Sequence, residues 1–257
     1  MIQIVNNNVQ RGFSKAAKGY DRLTGLHRGI ADGLLARLAQ GSAPSAILDV
    51  GCGTGYLTGK IKGMFQQSRV VGLDFAAGML DVARLGPEGI DWVLADSHQL
   101  PFADGGFDTV VSNLAYQWAA DLQRAFSEAR RVLADNGALA CTLFGHNTCG
   151  ELFQSLAEAK KTILPFKRLP NLSQIRKALL TGGFDKAEAL SEEVRMEFKD
   201  MHELIVWLKT IGANNLSADV FLGPEALLSA ASIYRRKFPY RKGIGVTFEV
   251  IRAYAGK

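Results

Sequence analysis

Between Asp49 and Tyr56 the chain reads DVGCGTGY, with Gly51, Gly53 and Gly55 at alternate positions and Cys52 between the first two. The run leading into it, AILDV, is apolar enough to be a buried strand. Glycines spaced in this way let the backbone turn sharply at a strand end, and let a ligand approach closer than any side chain permits. Asp49 adds a carboxylate acceptor at that same end, where open α/β sheets bind ligands.

Polar residues recur at the ends of the next three apolar runs. RVVGLD closes on Asp74, about twenty residues beyond the glycines, where a carboxylate can accept both hydroxyls of a ribose; a helix N-cap is its plainer role. Phe75 and Met79 follow, placed to sandwich an adenine ring or simply to pack in a core. IDWVLAD leads to Asp96 and Ser97, groups suited to the amino group and ring nitrogen of adenine. FDTVVSN closes on Asn113, above the place where the reacting centre of such a ligand lies, with a strand-end cap as its other role. Gln117 and Trp118 come next, as cleft wall or packing. A dinucleotide fingerprint requires glycine where this sequence has Tyr56. The spacing therefore favours S-adenosylmethionine over a nicotinamide dinucleotide.

These residues need a scaffold that sets four strand ends side by side. Short apolar runs at 46–50, 69–74, 90–96, 107–113 and 138–144 alternate with helical patterns at 55–65, 77–85 and 121–134. That alternation predicts a doubly wound α/β unit whose parallel sheet is built on right-handed crossovers. Apolar spacing at Leu26, Ile30, Leu34 and Leu38 predicts an N-terminal helix over 14–38, broken near Thr24 and Gly25. Later helices are expected near 149–161, 171–181, 200–210 and 224–236. Strands at 186–198 and 244–253 would complete a mostly parallel, seven-stranded sheet, with the inserted helices over the cleft. One domain over 1–257 is expected: a helical cap (1–44), a cofactor-binding core (45–145), then lid helices and sheet-completing strands (146–257).

With 47% hydrophobic and 21% charged residues the chain is far from a disordered composition. No apolar run reaches the ~20 residues that span a bilayer, and the opening MIQIVNNNVQRGF is unlike a secretory signal, so a cytoplasmic protein is expected. Cys52, Cys141 and Cys149 form no C-x-x-C pair; reduced, buried thiols and no metal site are expected. The net charge of +5 favours acidic partners and gathers at Arg235, Arg236, Lys237, Arg241 and Lys242. A solvated helix end is the plain alternative, and no nucleic-acid motif accompanies the cluster. A monomer is expected.

With these residues placed, the sequence resembles the class I methyltransferases, and more narrowly the malonyl-acyl-carrier-protein O-methyltransferases of biotin synthesis. The resemblance covers nearly the whole chain. It rests on FSKAAKGYDRLTGLHRGIADGLL, LDVGCGTGY, GLDFAAGML, ADSHQLPF, SNLAYQW, LKTIGANN at 208–215 and the closing GVTFEVIRAYAGK. The glycine loop and ADSHQLPF are shared by many methyltransferases, whereas SNLAYQW, LKTIGANN and YDR are narrower. His27 stands where such proteins often carry glutamine, and Tyr116 replaces a usual aliphatic residue.

The resemblance implies S-adenosylmethionine as methyl donor and S-adenosylhomocysteine as product. The acceptor it implies is the free carboxylate of malonyl-acyl carrier protein, methylated early in pimeloyl and biotin synthesis. Acyl carrier protein is strongly acidic, so Arg235 to Lys242 becomes a docking patch, with Lys209, Lys160 and Lys161 as further contributors. A malonyl carboxylate is already ionised at neutral pH; no general base is needed, and catalysis rests on alignment and exclusion of water. A bidentate cationic clasp would weaken the nucleophile, so one donor on one oxygen is expected. Lys209 and Tyr20 are the candidates, with Gln117 and Trp118 as further substrate contacts. Two alternatives stay open. Another class I methyltransferase, acting on a small carboxylic acid or a quinone precursor, would share the loop, and a carbon acceptor would call for a base such as His98 or His146. A protein that binds the cofactor without turnover would share the fold.

Overall fold

In the computed structural model, residues 7–161, 169–212 and 223–257 are described. The strands are β1 (Ala46–Val50), β2 (Arg69–Asp74), β3 (Ile90–Leu94), β4 (Phe107–Asn113), β5 (Leu133–Phe144), β6 (Lys186–Phe198), β7 (Pro239–Tyr240) and β8 (Gly243–Gly256). They form one sheet in the order β3-β2-β1-β4-β5-β8-β6, with the two-residue β7 paired to β8. The first five are mutually parallel, and β8 runs antiparallel to both β5 and β6. The expected seven-stranded, mostly parallel sheet is therefore present, with β7 as a small addition.

From β1 the chain winds outward through β2 and β3, then returns to lay β4 on the other side of β1. Connections leaving β1 and β4 diverge at that reversal and open a crevice beyond the strand ends, which is why a ligand site forms there.

The helices are α1 (Asn7–Leu23), α2 (Gly25–Leu38), α3 (Tyr56–Met64), α4 (Ala77–Ala83), α5 (Leu122–Val132), α6 (Gly150–Lys160), α7 (Leu172–Thr181), α8 (Met201–Thr210) and α9 (Pro224–Lys237). On one face of the sheet Phe126, Ala129 and Val132 of α5 pack with Ile175 and Leu179 of α7 against β4 and β5. Leu34 of α2 meets Leu57 and Ile61 of α3 in a second cluster that includes Ile47, Val70 and Val111 of β1, β2 and β4. Leu152, Leu204 and Tyr234 bring α6, α8 and α9 onto Phe248 of β8. Each such Leu, Ile, Val or Phe side chain, fully buried, contributes about 1.5–3 kcal/mol. Local signals agree with the packing: Asp121 and Asp200 accept backbone N–H groups at the starts of α5 and α8, and Asn171 with Gln174 forms a capping box on α7.

The N-terminal break falls where expected, at Thr24 between α1 and α2. Gly78 lets α1 lie across the start of α4, since a Cβ there would sit 2.5 Å from the Ser14 carbonyl oxygen. Gln10 Nε2 then donates to the Phe75 carbonyl at 2.6 Å, which ties α1 over the end of β2.

Several boundaries differ from expectation: α1 begins at Asn7 rather than Ser14, and β8 runs on to Gly256 rather than ending at Ala253. β3 stops at Leu94, so Asp96 and Ser97 belong to the loop beyond it. β5 begins at Leu133 rather than Ala138, because Asp135, Asn136 and Gly137 read as a turn yet are absorbed as an irregularity in the ladder, between the Phe107–Leu133 and Thr109–Ala138 pairs. Asn136 takes φ 66° to allow it. Of the LKTIGANN segment, Ala213, Asn214 and Asn215 lie outside the described residues, as do the first six residues of the expected cap. Among the described residues no helix is long and apolar enough to cross a membrane.

Candidate active site

The three glycines of the loop do three different things. Gly51 takes φ 74°, and a Cβ on it would collide with that of Ala115 in the turn after β4. Gly55, at φ 84°, caps α3 and faces Trp92, whose ring would lie 2.7 Å from an added Cβ. Gly53, at φ 57°, has open space around it. Only Gly53 therefore leaves room for a ligand; the other two let neighbouring strands and loops close in. Gly51 and Cys52 donate to the Leu73 carbonyl at 2.7 and 3.0 Å, which hangs the loop from the end of β2. Cys52 is buried, and its thiol is pushed up by desolvation and by Asp74 and Asp49.

Asp74 is buried beside the loop. Its Oδ2 accepts the Gly53 N–H and its Oδ1 the Ala76 N–H, both at 2.8 Å. Each carboxylate oxygen keeps a second lone pair for a ligand hydroxyl. The N-cap residue of α4 is Ala76, so the plain capping role is not the one observed. Burial raises the Asp74 carboxyl to about 6 against the pull of these backbone donors. Asp49 is fully buried; Thr58 Oγ1 donates to its Oδ2 at 2.6 Å, and Oδ1 has no partner. Burial first, then the nearby Asp74 charge, raise Asp49 to about 7, opposed by Thr58.

Three adjoining cavities lie at this end of the sheet, two of them bordering the loop. The first, about 820 Å³ of empty space partly open to solvent, is lined by the ends of all four strands and by Val9, Phe13 and Tyr20 of α1. It is large enough for a nucleoside. Gly51, Gly53, Asp74, Phe75, Met79, Asp96, Ser97, Asn113 and Trp118 all line it. Phe75 meets Phe13 edge-on, with ring centroids 6.4 Å apart. Asp96 Oδ1 accepts the His98 backbone N–H at 2.9 Å and lies 2.5 Å from His98 Nδ1. Burial raises Asp96, but the His98 bonds outweigh it and hold the carboxyl below its ordinary value. His98 Nε2 accepts the Asp121 N–H at 3.1 Å, so the ring proton sits on Nδ1 and both nitrogens are occupied. Asn113 is equally committed: Nδ2 donates to the His27 carbonyl at 3.1 Å and Oδ1 accepts from Thr142 Oγ1 at 2.8 Å. Its amide pins the end of β4 to α2 and β5, leaving one hydrogen and one lone pair for a ligand. Beside it Leu114 holds φ 54°, a strained value for a branched residue.

The second cavity adjoins the first through Phe13, Tyr20, Leu114 and Trp118, which line both. Its wall is aromatic: Phe144, Trp207 and Phe248 join these residues, with Leu208 and Ile211 of α8 and its following turn. Gln117 lines it too; its Nε2 donates to the Leu114 carbonyl at 2.8 Å, and its buried Oε1 has no partner. No Lys or Arg lines this cavity among the described residues. Lys209 is exposed on α8, because the helical phase that turns Leu208 and Ile211 inward turns Lys209 out. The third cavity lies beside the glycine loop and holds Asp49, Cys52, Gly53, Asp21 and Arg28. Arg28 pairs with Asp21 at 3.2 Å, while its Nε is buried without a partner. Tyr20 reaches all three cavities, and burial with the charges of Asp74 and Asp21 raises its phenol far above the ordinary value.

Arg28, His27, Phe13, Phe144, Trp207 and Phe248 were not singled out as site residues from the sequence. The helical phase of Leu204, Leu208 and Ile211 was the available signal for α8, since residues spaced by four and three share a face. His146 is half-exposed, 3.7 Å from Glu249 Oε2, and lines none of the three cavities. The basic cluster sits at the end of α9 and in the turn after it, and α9 lines none of them either. Arg236 (3.9 Å) and Lys237 pair with Glu158, and Arg241 stacks 5.2 Å over Tyr240.

This sheet order, with a glycine loop and acidic residues at successive strand ends, defines a class I S-adenosylmethionine-dependent methyltransferase, and residues 48–141 match the methyltransferase domain family. The chain belongs to the malonyl-[acyl-carrier protein] O-methyltransferase family. It is 32% identical over 255 residues to the Methylococcus capsulatus protein of that name, covering 95% of this chain and 91% of that one. It is 33% identical over 260 residues to the one from Geobacter sulfurreducens, covering 96% and 97%. Among solved structures, Haemonchus contortus phosphoethanolamine N-methyltransferase 2 in complex with S-adenosyl-L-methionine shares the fold, with a TM-score of 0.55 at 22% identity over 88% of this chain and 52% of that one.

Proposed function

We propose that this protein transfers a methyl group from S-adenosylmethionine to the free carboxylate of a malonyl thioester carried on acyl carrier protein, the substrate named in its full-length relatives. The observation that carries the reading is the second cavity. It adjoins the cofactor cavity, and the described residues offer it no working general base. Its imidazole, His27, is lowered by burial to about 4, too weak to deprotonate a phenol or carbon acid. His98 has both nitrogens engaged, and His146 lies elsewhere. An acceptor that arrives already ionised needs none of them.

The residues present fit the cofactor. Asp74 would take the ribose hydroxyls, Asp96 and Ser97 the adenine edge, and Phe75 with Met79 its faces. The unpartnered Asp49 Oδ1 would take the ammonium of the methionine end, and the unpartnered Arg28 Nε its carboxylate, with Gly53 leaving the backbone open between them. Bound there, the sulfonium supplies an electrophilic methyl group. The chain's own part is to align and to exclude water: Phe13, Tyr20 and Trp118 form the wall common to both cavities, and Trp207 and Phe248 close the acceptor side. Tyr20, Gln117 and Trp118 are the substrate contacts in this reading.

Arg235, Arg236, Lys237, Arg241 and Lys242 form the docking surface for the acidic carrier, and Lys209, Lys160 and Lys161 contribute through surface charge. The chain works as one domain over 1–257, as a monomer in the cytoplasm, with no metal. The test is to offer malonyl-acyl carrier protein, free malonate and a quinol together with methyl-labelled S-adenosylmethionine. Label in an alkali-labile ester on the carrier supports the reading. Label in the malonate or the quinol alone points to the other methyltransferase activity, and cofactor binding without transfer to a non-catalytic protein.

A further inference from the structure

His27 has a polar atom that the reading above leaves unused. It stands on α2 in the wall shared by the second and third cavities. Phe144 meets its ring edge-on at 5.5 Å and 90°, Tyr20 at 5.9 Å and 72°, and Trp207 leans on it at 6.2 Å and 55°. Asn113 fixes its main chain through the 3.1 Å bond to its carbonyl oxygen. The imidazole is therefore held in place from α1, β4, β5 and α8, yet its Nδ1 is buried with no hydrogen-bond partner. A buried polar atom left unpaired is destabilising, and in a cavity wall it marks where a ligand group completes the bond.

A carboxylate in the second cavity needs a donor. Gln117 is the poorer candidate: one Nε2 hydrogen is already given to the Leu114 carbonyl, and its unpartnered buried atom is the acceptor Oε1, which a carboxylate would not satisfy. The Trp207 indole N–H is given to the Leu23 carbonyl at 2.8 Å, and the Thr148 hydroxyl to the Glu249 carbonyl at 3.3 Å. We propose that His27, as the neutral Nδ1–H tautomer, donates a single hydrogen bond to one oxygen of the acceptor carboxylate and leaves the other oxygen free to receive the methyl group. This rests on the carboxylate substrate proposed above. A neutral donor orients the carboxylate while withdrawing less charge from it than a cation would. Burial keeps the ring uncharged at neutral pH, since its pKa is lowered to about 4. Asp21, Asp49 and Arg28 line the third cavity together with His27, and Arg28 is already paired with Asp21.

Glutamine offers the same kind of neutral N–H, so His27→Gln is the conservative variant and His27→Leu the one that removes the donor. The full-length protein, saturated with S-adenosylhomocysteine, is titrated with malonyl- and with acetyl-acyl carrier protein, and methyl transfer is measured in parallel. Wild type and His27→Gln should prefer the malonyl form by roughly tenfold or more. His27→Leu should bind the two forms within about twofold of each other, with KM raised more than kcat falls and S-adenosylhomocysteine affinity unchanged. A malonyl preference that survives in His27→Leu overturns this role alone, as does a loss confined to S-adenosylhomocysteine. A wild-type protein that neither prefers nor methylates the malonyl form overturns the substrate reading and this role together.

Discussion

The cofactor side and the acceptor side of this molecule are built by different means. Around the glycine loop the ligand-facing groups are backbone atoms and short acidic side chains at the ends of adjacent strands, so their positions follow from the sheet itself. The second cavity is assembled from aromatic side chains on α1, α2, β5, α8 and β8, far apart in sequence and brought together by tertiary packing. The first arrangement serves one ligand with little room for variation. The second can change its acceptor by replacing side chains while the fold stays the same.

Substitutions in the loop should show how tightly the first side is tied to the fold. Gly51→Ala forces a Cβ into Ala115 at φ 74°, and should destabilise the protein by about 3 kcal/mol or more, seen as a fall in melting temperature. Gly53→Ala meets no neighbour and should cost only about 1 kcal/mol of stability, while weakening S-adenosylhomocysteine roughly tenfold in a titration. Equal melting losses in both variants would erase the division of labour among the glycines.

Trp207→Leu tests the other side. The indole packs on His27, Phe198 and Phe248, so its loss should raise KM for the malonyl substrate about tenfold and leave cofactor affinity within about twofold. A parallel loss of cofactor affinity would show that the two sides are not separable.

The buried carboxylates add a pH signature confined to the cofactor side. With Asp49 raised to about 7, the ligand-free fold holds a proton that the unfolded chain releases near 4. That contribution to stability is present at low pH and is lost as pH rises through 7. Asp49→Asn should therefore melt higher than wild type at pH 8, with the gap closing toward pH 5. Binding of the cofactor's ammonium draws on the ionised form, so wild-type affinity for S-adenosylhomocysteine should rise between about pH 5.5 and 7.5, and in Asp49→Asn the slope should shrink to the part below about 6 that Asp74 contributes. The smallest effect belongs to the surface. Reversing charge at Arg235, Arg236 and Arg241 should raise KM a few-fold for malonyl-acyl carrier protein, most at low salt, and leave a small malonyl thioester unaffected.

The same contrast explains what was legible in the sequence. Strand-end residues are read locally: an apolar run followed by glycine or a carboxylate marks both the element and its last side chains, and Asp49, Asp74 and Asn113 stand at strand ends beside the cavities as expected, whereas Asp96 lies in the loop two residues past β3. The use each side chain makes of its atoms was not legible, because the partners are distant. Asn113 spends its amide on His27 and Thr142, and His98 closes a bridge between Asp96 and Asp121 that removes it as a base. Lys209, chosen as a cation within LKTIGANN, lies on the outer face of α8, while the apolar phase of Leu204, Leu208 and Ile211 marks the inner one. The second cavity was legible only in part: Tyr20, Gln117 and Trp118 were named from the sequence, whereas His27, Phe144, Trp207 and Phe248 come from distant elements and carry no mark of a shared wall until the fold brings them together.

The most direct measurement is intact mass analysis of malonyl-acyl carrier protein after incubation with this protein and S-adenosylmethionine, beside acetyl-acyl carrier protein as the acceptor without a free carboxylate. The account predicts one added methyl group on the malonyl carrier, removed by mild alkali, and none on the acetyl carrier. Methylation of both carriers, or of neither while another acid or a quinol is methylated, would contradict it.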